Sequence, residues 1–200
     1  MRFSWLKNNT DRKFAYAFKD LNFDGFEKEI CTDCGRIVSK FKYRSHCPVL
    51  LVEGGTEMPD LLQFCGAGKR LFLVSQKALD VFQKNIIEGY DICAKVHWMR
   101  VNDASCLEES GAEVYYSLEI TGAISLDLEQ MQLRQKRLCK ECGEFEWSRQ
   151  KLGPYILQES SWDGSDLCYI KQFPGMWVCT TRFKEIMINN QLTGFCFKDV

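Results

Sequence analysis

Two copies of one short motif, CTDCG at 31–35 and CKECG at 139–143, place the strongest constraint on how this chain can fold. A CxxC turn presents two sulfurs from one tight bend, and the glycine that follows can adopt a positive φ. Zinc favours four tetrahedral ligands, and thiolates are its usual structural ligands. The pair therefore predicts one structural Zn²⁺ site formed by Cys31, Cys34, Cys139 and Cys142. Because protein ligands fill all four positions, we expect this metal to be structural and not catalytic.

A second pattern recurs at a similar separation, in residues 71–90 (LFLVSQKALDVFQKNIIEGY) and 176–195 (MWVCTTRFKEIMINNQLTGF). Each segment has an apolar run, a Ser or Thr suited to cap a helix, apolar residues at helical spacing, an Asn, and a glycine before an aromatic residue. Each therefore predicts a strand, a capped helix and a second strand. We expect an α+β fold of two pseudo-repeated halves, 1–96 and 97–200. Each half would hold a CxxCG knuckle and a strand–helix–strand unit, and a zinc-ribbon-like site of four cysteines would join them into one globular body.

Other segments give weaker patterns. FSWLKN at 3–8 and KFAYAFKD at 13–20 alternate enough for strands, although a short helix is an alternative. Segment 113–126 is rich in β-branched and aromatic residues, with a Thr-Gly turn at 121–122, which predicts strands. Segment 127–138, DLEQMQLRQKRL, carries acidic residues early and basic residues late, which predicts a helix.

Composition and charge exclude several classes of protein. A formal charge of −1 disfavours a dedicated nucleic-acid binder, which would need a basic surface. No run approaches the roughly 18 apolar residues of a membrane helix, and the first residues contain no secretory signal. The 11 cysteines are odd in number and scattered, so we expect most to be reduced, buried thiols. These observations predict a cytoplasmic protein that does not bind membranes.

The sequence contains no recognisable catalytic motif. It lacks GxSxG, P-loop, HExxH and Gly-rich dinucleotide patterns, and it has only two histidines. The neighbours His46 and Cys47 would point in different directions, which disfavours their joint use in catalysis. We therefore expect a protein that is not an enzyme. A thiol oxidoreductase that uses the CxxC dithiols is the weakest alternative, because the context of the motif does not match a thioredoxin-like active site.

One stretch has a marked charge asymmetry. From Val101 to Leu133 there is no Lys or Arg. This stretch is either a solvated face or an anionic surface that attracts a basic partner and increases its rate of association. The candidate partner-binding residues are Asp103, Glu108, Glu109, Glu113 and Glu119.

Taken together, the two CxxCG motifs and the tail SWDGSDLCYI…GMWVCTTRFKEIMINNQLTGFCFKDV resemble the double-CxxCG-motif family. Members of that family are immunity proteins encoded beside bacterial polymorphic or contact-delivered toxins. The resemblance covers the two knuckles and residues 139–200 well, and residues 36–70 loosely. It implies a protein that binds one cognate toxin and blocks it by steric occlusion in the cytoplasm of the producing cell.

The main alternative is a zinc-ribbon module associated with nucleic acid or transcription. It would require a basic, aromatic face near a knuckle. The candidates for such a face are Arg36, Lys40, Lys42, Tyr43 and Arg44.

Overall fold

In a computed structural model, the described part of the chain comprises residues 3–9, 11–20, 28–35, 37–39, 49–64, 71–102, 106–109, 114–141, 145–149 and 154–200. It contains two α-helices, α1 (Gln76–Lys84) and α2 (Thr181–Asn189), and a 3-10 turn at Glu159–Ser161. The strands are β1 (Phe3–Asn8), β2 (Ala15–Asp20), β3 (Lys28–Ile30), β4 (Ile37–Ser39), β5 (Val49–Gly54), β6 (Leu61–Phe64), β7 (Leu71–Ser75), β8 (Tyr90–Asn102), β9 (Cys106–Glu109), β10 (Tyr115–Ile120), β11 (Ala123–Leu126), β12 (Leu133–Leu138), β13 (Phe145–Arg149), β14 (Leu157–Gln158), β15 (Leu167–Ile170), β16 (Phe173–Thr180) and β17 (Phe195–Asp199).

Most of these strands form two large sheets. The first sheet has the order β10-β7-β6-β2-β5-β8-β9, and a further pairing of β10 with β8 closes its first six strands into a barrel. The second sheet has the order β14-β11-β15-β16-β1-β17 and stays open between β14 and β17 in the described part of the chain. Two separate hairpins, β3–β4 and β12–β13, carry the two CxxCG motifs.

The predicted α+β fold of two strand–helix–strand halves is wrong, because the part of the chain that the structure describes is mostly β and its two helices have nine residues each. Long-range pairing of many short strands, which local patterns do not reveal, determines the architecture. The expected boundary at 96/97 falls inside β8.

The predicted helix at 127–138 is also wrong. Asp127 instead accepts the amide of Gln130 at its side chain and the amide of Met131 at its carbonyl, which makes a turn. Strand β12 follows and pairs with β13. Met131 and Leu133 are buried in the core, so tertiary packing overrides the local helical preference.

The strand and helix predictions elsewhere are confirmed. Segments 3–8 and 15–20 are strands, and 115–126 forms β10 and β11, whereas residues 121–122 are not a turn but link the two sheets. Ser75 and Thr180 cap α1 and α2 by accepting the amides of Ala78 and Phe183. These features are encoded locally, by caps and by strand-forming residues, so the sequence was sufficient to locate them.

The two large sheets share one strand order, and each contains one strand from a distant part of the chain. The first sheet is built from β2 and β5–β9 together with β10, and the second from β11 and β14–β17 together with β1. Strand β10 lies between β7 and β8, and β1 lies in the same way between β16 and β17. The order β8-β10-β7-β6-β2-β5 in the first sheet thus matches β17-β1-β16-β15-β11-β14 in the second. We call β1 and β10 the exchanged strands.

Two buried carboxylates tie the sheets together in a reciprocal manner. Asp60 accepts the hydroxyl of Ser75 (2.8 Å) at the start of α1 and the amide of Thr193 (2.8 Å) after α2. Asp166 accepts the hydroxyl of Thr180 (2.8 Å) at the start of α2 and the amide of Glu88 (3.3 Å) after α1. Each carboxylate therefore holds the beginning of one helix and the end of the other.

Two glycines allow the backbone that follows each helix to approach a strand of the other sheet closely. Gly89 and Gly194 adopt positive φ angles of 98° and 83°. A Cβ on Gly89 would lie 2.2 Å from the carbonyl oxygen of Leu167, and one on Gly194 would lie 2.3 Å from that of Leu61. Only glycine permits both the conformation and the close approach of the opposite sheet.

Three apolar clusters fill the interior. One lies between the sheets around both helices, where the rings of Phe82 and Phe183 meet edge to face at 5.5 Å. A second lines the barrel and includes Leu50, Val96 and Tyr115. The third covers the inner face of the second sheet, where Phe3 and Trp5 lie. The reciprocal bonds therefore join two sheets that each have an interior of their own.

We predict that Asp60→Ala will lower the free energy of unfolding by about 2–4 kcal/mol, because the Ser75 hydroxyl and the Thr193 amide would lose their acceptor at a site where Asp60 is 8% exposed. Urea denaturation measures this value. The matched control is Asp80→Ala, since Asp80 is exposed and its side chain bonds to Gln76. Equal effects of the two substitutions would contradict the role of Asp60.

Candidate metal centre

The cysteines lie at the tips of two hairpins that come from distant parts of the chain. Strands β3 and β4 pair from Lys28–Ser39 to Ile30–Ile37, and residues 31–35 form the bend between them. Strands β12 and β13 pair from Leu133–Arg149 to Leu138–Phe145, and Cys139 follows β12 directly. The hairpin ladders therefore fix the position of each motif, and the fold brings the two tips together.

Three thiols form a compact cluster. The sulfurs of Cys31, Cys34 and Cys139 all lie within 4.8 Å of one another, and those of Cys31 and Cys139 are 3.5 Å apart. Cys31 and Cys139 are 6% and 5% exposed, whereas Cys34 is half-buried. The cluster thus unites three of the four predicted ligands, and Cys142 lies outside the described residues.

The first motif has the backbone of a metal knuckle. The amide of Gly35 donates to the carbonyl of Cys31 at 2.8 Å, which closes the turn. Gly35 has φ of +68°, the conformation that the trailing glycine of the motif was expected to allow. The two sulfurs of the motif are thereby presented on the same side of the turn, toward Cys139.

Glu141 connects the two tips, a role that no sequence pattern indicated. Its Oε2 accepts the hydroxyl of Thr32 at 2.8 Å and the amide of Asp33 at 3.2 Å, and it lies 3.7 Å from the sulfur of Cys31. An acidic residue inside a CxxC motif is ordinarily a solvated side chain. Only the three-dimensional approach of the hairpins shows that Glu141 positions the opposite knuckle.

The environment of Cys31 favours the neutral thiol unless a cation is present. The backbone amide of Cys34 lowers the pKa of the Cys31 thiol, but desolvation and the hydrogen bond with the Cys139 thiol outweigh it and raise that pKa to about 12. A divalent cation at the centre of the cluster would reverse this balance, because it stabilises thiolates directly.

The spacing of the cluster fits a tetrahedral thiolate site. Zinc–sulfur bonds of about 2.3 Å in a tetrahedron separate the sulfurs by about 3.8 Å. The separation of 3.5 Å between the sulfurs of Cys31 and Cys139, and the 4.8 Å within which all three sulfurs lie, are compatible with that value. The cluster can therefore hold a metal ion with little rearrangement, and soft thiolates would favour zinc or another thiophilic metal.

Four further cysteines whose side chains the structure describes are free thiols with different surroundings. Cys168 and Cys179 are buried, as we expected of most, and burial raises the pKa of Cys168 to about 12 and raises that of Cys179 as well. Cys93 and Cys196 are exposed.

Three of the five residues of the predicted acidic surface lie in the described chain. Glu108 and Glu109 belong to β9 at the edge of the first sheet, and Glu119 is half-buried in β10. Asp103 and Glu113 lie outside the described residues. So do the neighbours His46 and Cys47 and the basic candidates of the zinc-ribbon alternative, Arg36, Lys40, Lys42, Tyr43 and Arg44.

Comparisons with known proteins add no relative to this picture. No protein-family model matches the chain, and no curated protein matches its sequence. In the part of the chain that the structure describes, neither helix is long and apolar enough to cross a membrane.

Proposed function

We propose that this protein is a zinc-stabilised immunity protein that binds a protein toxin and blocks it sterically in the cytoplasm. The observation that carries the metal assignment is the cluster of Cys31, Cys34 and Cys139 at the tips of two hairpins. Cys142 would supply the fourth thiolate, since it belongs to the same CxxC motif as Cys139. Four thiolates would leave no open position for substrate, so the role of the metal would be structural.

A metal at this position would hold together two hairpins whose cysteines are 108 residues apart. Each hairpin is a separate two-stranded sheet in the described part of the chain. Isolated hairpins are marginally stable in water, so metal binding would supply much of their stability. The zinc would therefore fix the shape of the surface around the knuckles without taking part in chemistry.

We predict that protein purified without added metal will contain about one zinc ion per chain. Cys139→Ser should abolish most of this content and lower the thermal stability, because metal-binding energy contributes to folding. Elemental analysis and a thermal melt measure both effects. The control is Cys93→Ser, which removes an exposed thiol outside the cluster.

Two outcomes of that experiment would contradict the assignment. One is a Cys139→Ser variant that keeps both its metal and its melting temperature. The other is a metal-free wild-type protein in which Cys31 and Cys34 readily form a disulfide, which would favour the oxidoreductase alternative.

The immunity role draws its support from the double-CxxCG resemblance and from the acidic stretch. Glu108, Glu109 and Glu119, with Asp103 and Glu113, belong to a segment without basic residues. Such a segment would attract a basic partner and increase its association rate. The surface would thus bind the partner, and the metal would have an architectural role.

We predict that co-production of this protein will restore growth to cells that make the toxin encoded beside its gene. The double variant Glu108→Lys with Glu109→Lys should slow binding of that toxin at low ionic strength, because steering by charge would be lost. Growth curves and association rates by surface plasmon resonance measure these effects.

The control for the charge reversal is Asp80→Lys, which alters an exposed residue of α1 outside the acidic stretch. A wild-type protein that neither protects the cells nor binds the toxin would contradict the immunity role. An unchanged association rate of the double variant would remove β9 from the interface.

A further inference from the structure

The two sheets differ at one place although their strand orders match. In the first sheet β5 pairs in parallel with the second half of β8, from Val49–His97 to Val52–Arg100, and the barrel needs this pairing as well as that of β10 with β8. Strands β14 and β17 hold the corresponding positions in the second sheet, and no pairing joins them in the described chain. We call the gap between β14 and β17 the seam.

In the barrel, the second half of β8 occupies the position that corresponds to the seam. The closing stretch of β8 contributes Val96, which is 1% exposed, and the half-buried Trp98 to the core of the barrel. Val96 pairs with Tyr115 at the start of β10, and Tyr115 also pairs with Ser75. In the second sheet Phe3, at the start of β1, pairs with Thr180, the counterpart of Ser75. Val200, which follows Asp199, the partner of Ser4, takes the place beside Phe3 that Val96 takes beside Tyr115, so the seam lies where the barrel places Trp98.

A cavity lies at this place. Its volume is about 540 Å³, and its walls include Phe3, Ile156 and Leu157 together with Asp199 at the end of β17. Ile156 and Leu157 pack partly against the core of the second sheet and remain half-buried. The wall formed by Phe3, Ile156 and Leu157 is apolar, Glu159 and Asp199 add polar surface, and the cavity has room for side chains that reach inward.

The backbone on both sides of the seam is oriented to accept a strand. The carbonyl of Ile156 accepts the amide of Asp127, so the peptide groups of Leu157 point away from β11. The carbonyl of Gly194 accepts the amide of Asn9, so the backbone groups of Phe195, Phe197 and Asp199 point away from β1.

The charges at the seam indicate the character of the missing strand. The two charged residues on its walls in the described chain, Glu159 and Asp199, are both acidic and exposed, and Asp199 already pairs with Lys184 (3.2 Å). A strand with a basic residue next to Glu159 would complement that carboxylate. The closing stretch of β8, KVHWMRVN at 95–102, carries basic residues on either side of its apolar pair, since Lys95 precedes Val96 and Arg100 follows Trp98.

We propose that the seam is a docking site for an extended, basic segment of a protein partner, which adds as a strand beside β14 and places alternate apolar side chains in the cavity. This is recognition by strand addition, in which main-chain bonds give affinity and side-chain pockets give specificity. The inference deepens the proposed function, since it names the surface at which the toxin would be held. The acidic residues of β9 would then act on the rate of approach.

The probe for this proposal is a fluorescent peptide with the sequence KVHWMRVN, added to the intact protein and followed by polarisation. We expect saturable binding. Ile156→Asp should weaken binding by at least about tenfold, because it places a carboxylate in the apolar wall of the cavity. The matched control, Ile188→Asp on α2, changes an isoleucine that is 57% exposed and outside the cavity, and it should leave the affinity unchanged.

A second variant keeps the proposal testable if Ile156→Asp fails to fold. Glu159→Lys alters an exposed side chain and should weaken binding of the peptide about two- to fivefold at low salt. The same variant should bind more tightly than wild type a peptide in which Lys95 and Arg100 are replaced by Glu. This exchange of preference requires Glu159 to face the bound peptide.

Three results would overturn the proposal. They are a folded wild-type protein that does not bind the peptide, equal binding by wild type and a folded Ile156→Asp variant, and a wild-type dimer in sedimentation that Ile156→Asp dissociates. The last would identify a second copy of the chain as the occupant. None of these results depends on the cysteine cluster or on the growth assay. Failure of the docking proposal can therefore be distinguished from failure of the immunity role.

Discussion

The hydrogen bonds that Asp60 and Asp166 accept are the interactions on which the packing of the two sheets against each other depends. Each carboxylate accepts the N-cap hydroxyl of one helix and an amide that follows the other helix. The exchanged strands β1 and β10 have the same consequence at the level of the sheets, since each completes the sheet of the opposite part of the chain. Neither sheet can therefore form completely without residues from the other part of the chain.

The cysteine cluster is a third connection between the two parts of the chain, since it joins Cys31 and Cys34 to Cys139. The hairpins that carry it add no strands to the two large sheets, and Glu141 binds across from one tip to the other. A metal there would fix two elements that have little core of their own. The open seam of the second sheet stands in contrast, because it is the one place where the shared strand order lacks its closing partner in the described chain.

Features encoded by neighbouring residues could be predicted from the sequence, and features created by distant pairing could not. Ser75 and Thr180 located both helices because capping is a local interaction. The CxxCG pair located the cysteine cluster because ligand spacing is a property of the motif. The turn and strand at 127–138 were missed because β13 and the core determine them. The roles of Asp60, Asp166 and Glu141 depend on contacts across the fold, and no local pattern indicates them.

The most direct test of the shared metal site is the zinc-edge X-ray absorption spectrum of the purified protein. A cluster of Cys31, Cys34 and Cys139 completed by Cys142 predicts a coordination sphere of about four sulfurs at about 2.3 Å and no nitrogen or oxygen ligand. Such a sphere would show that the two hairpins share one metal as a structural site. A spectrum with nitrogen or oxygen scatterers bound to the metal, or with fewer than about four sulfurs, would contradict it.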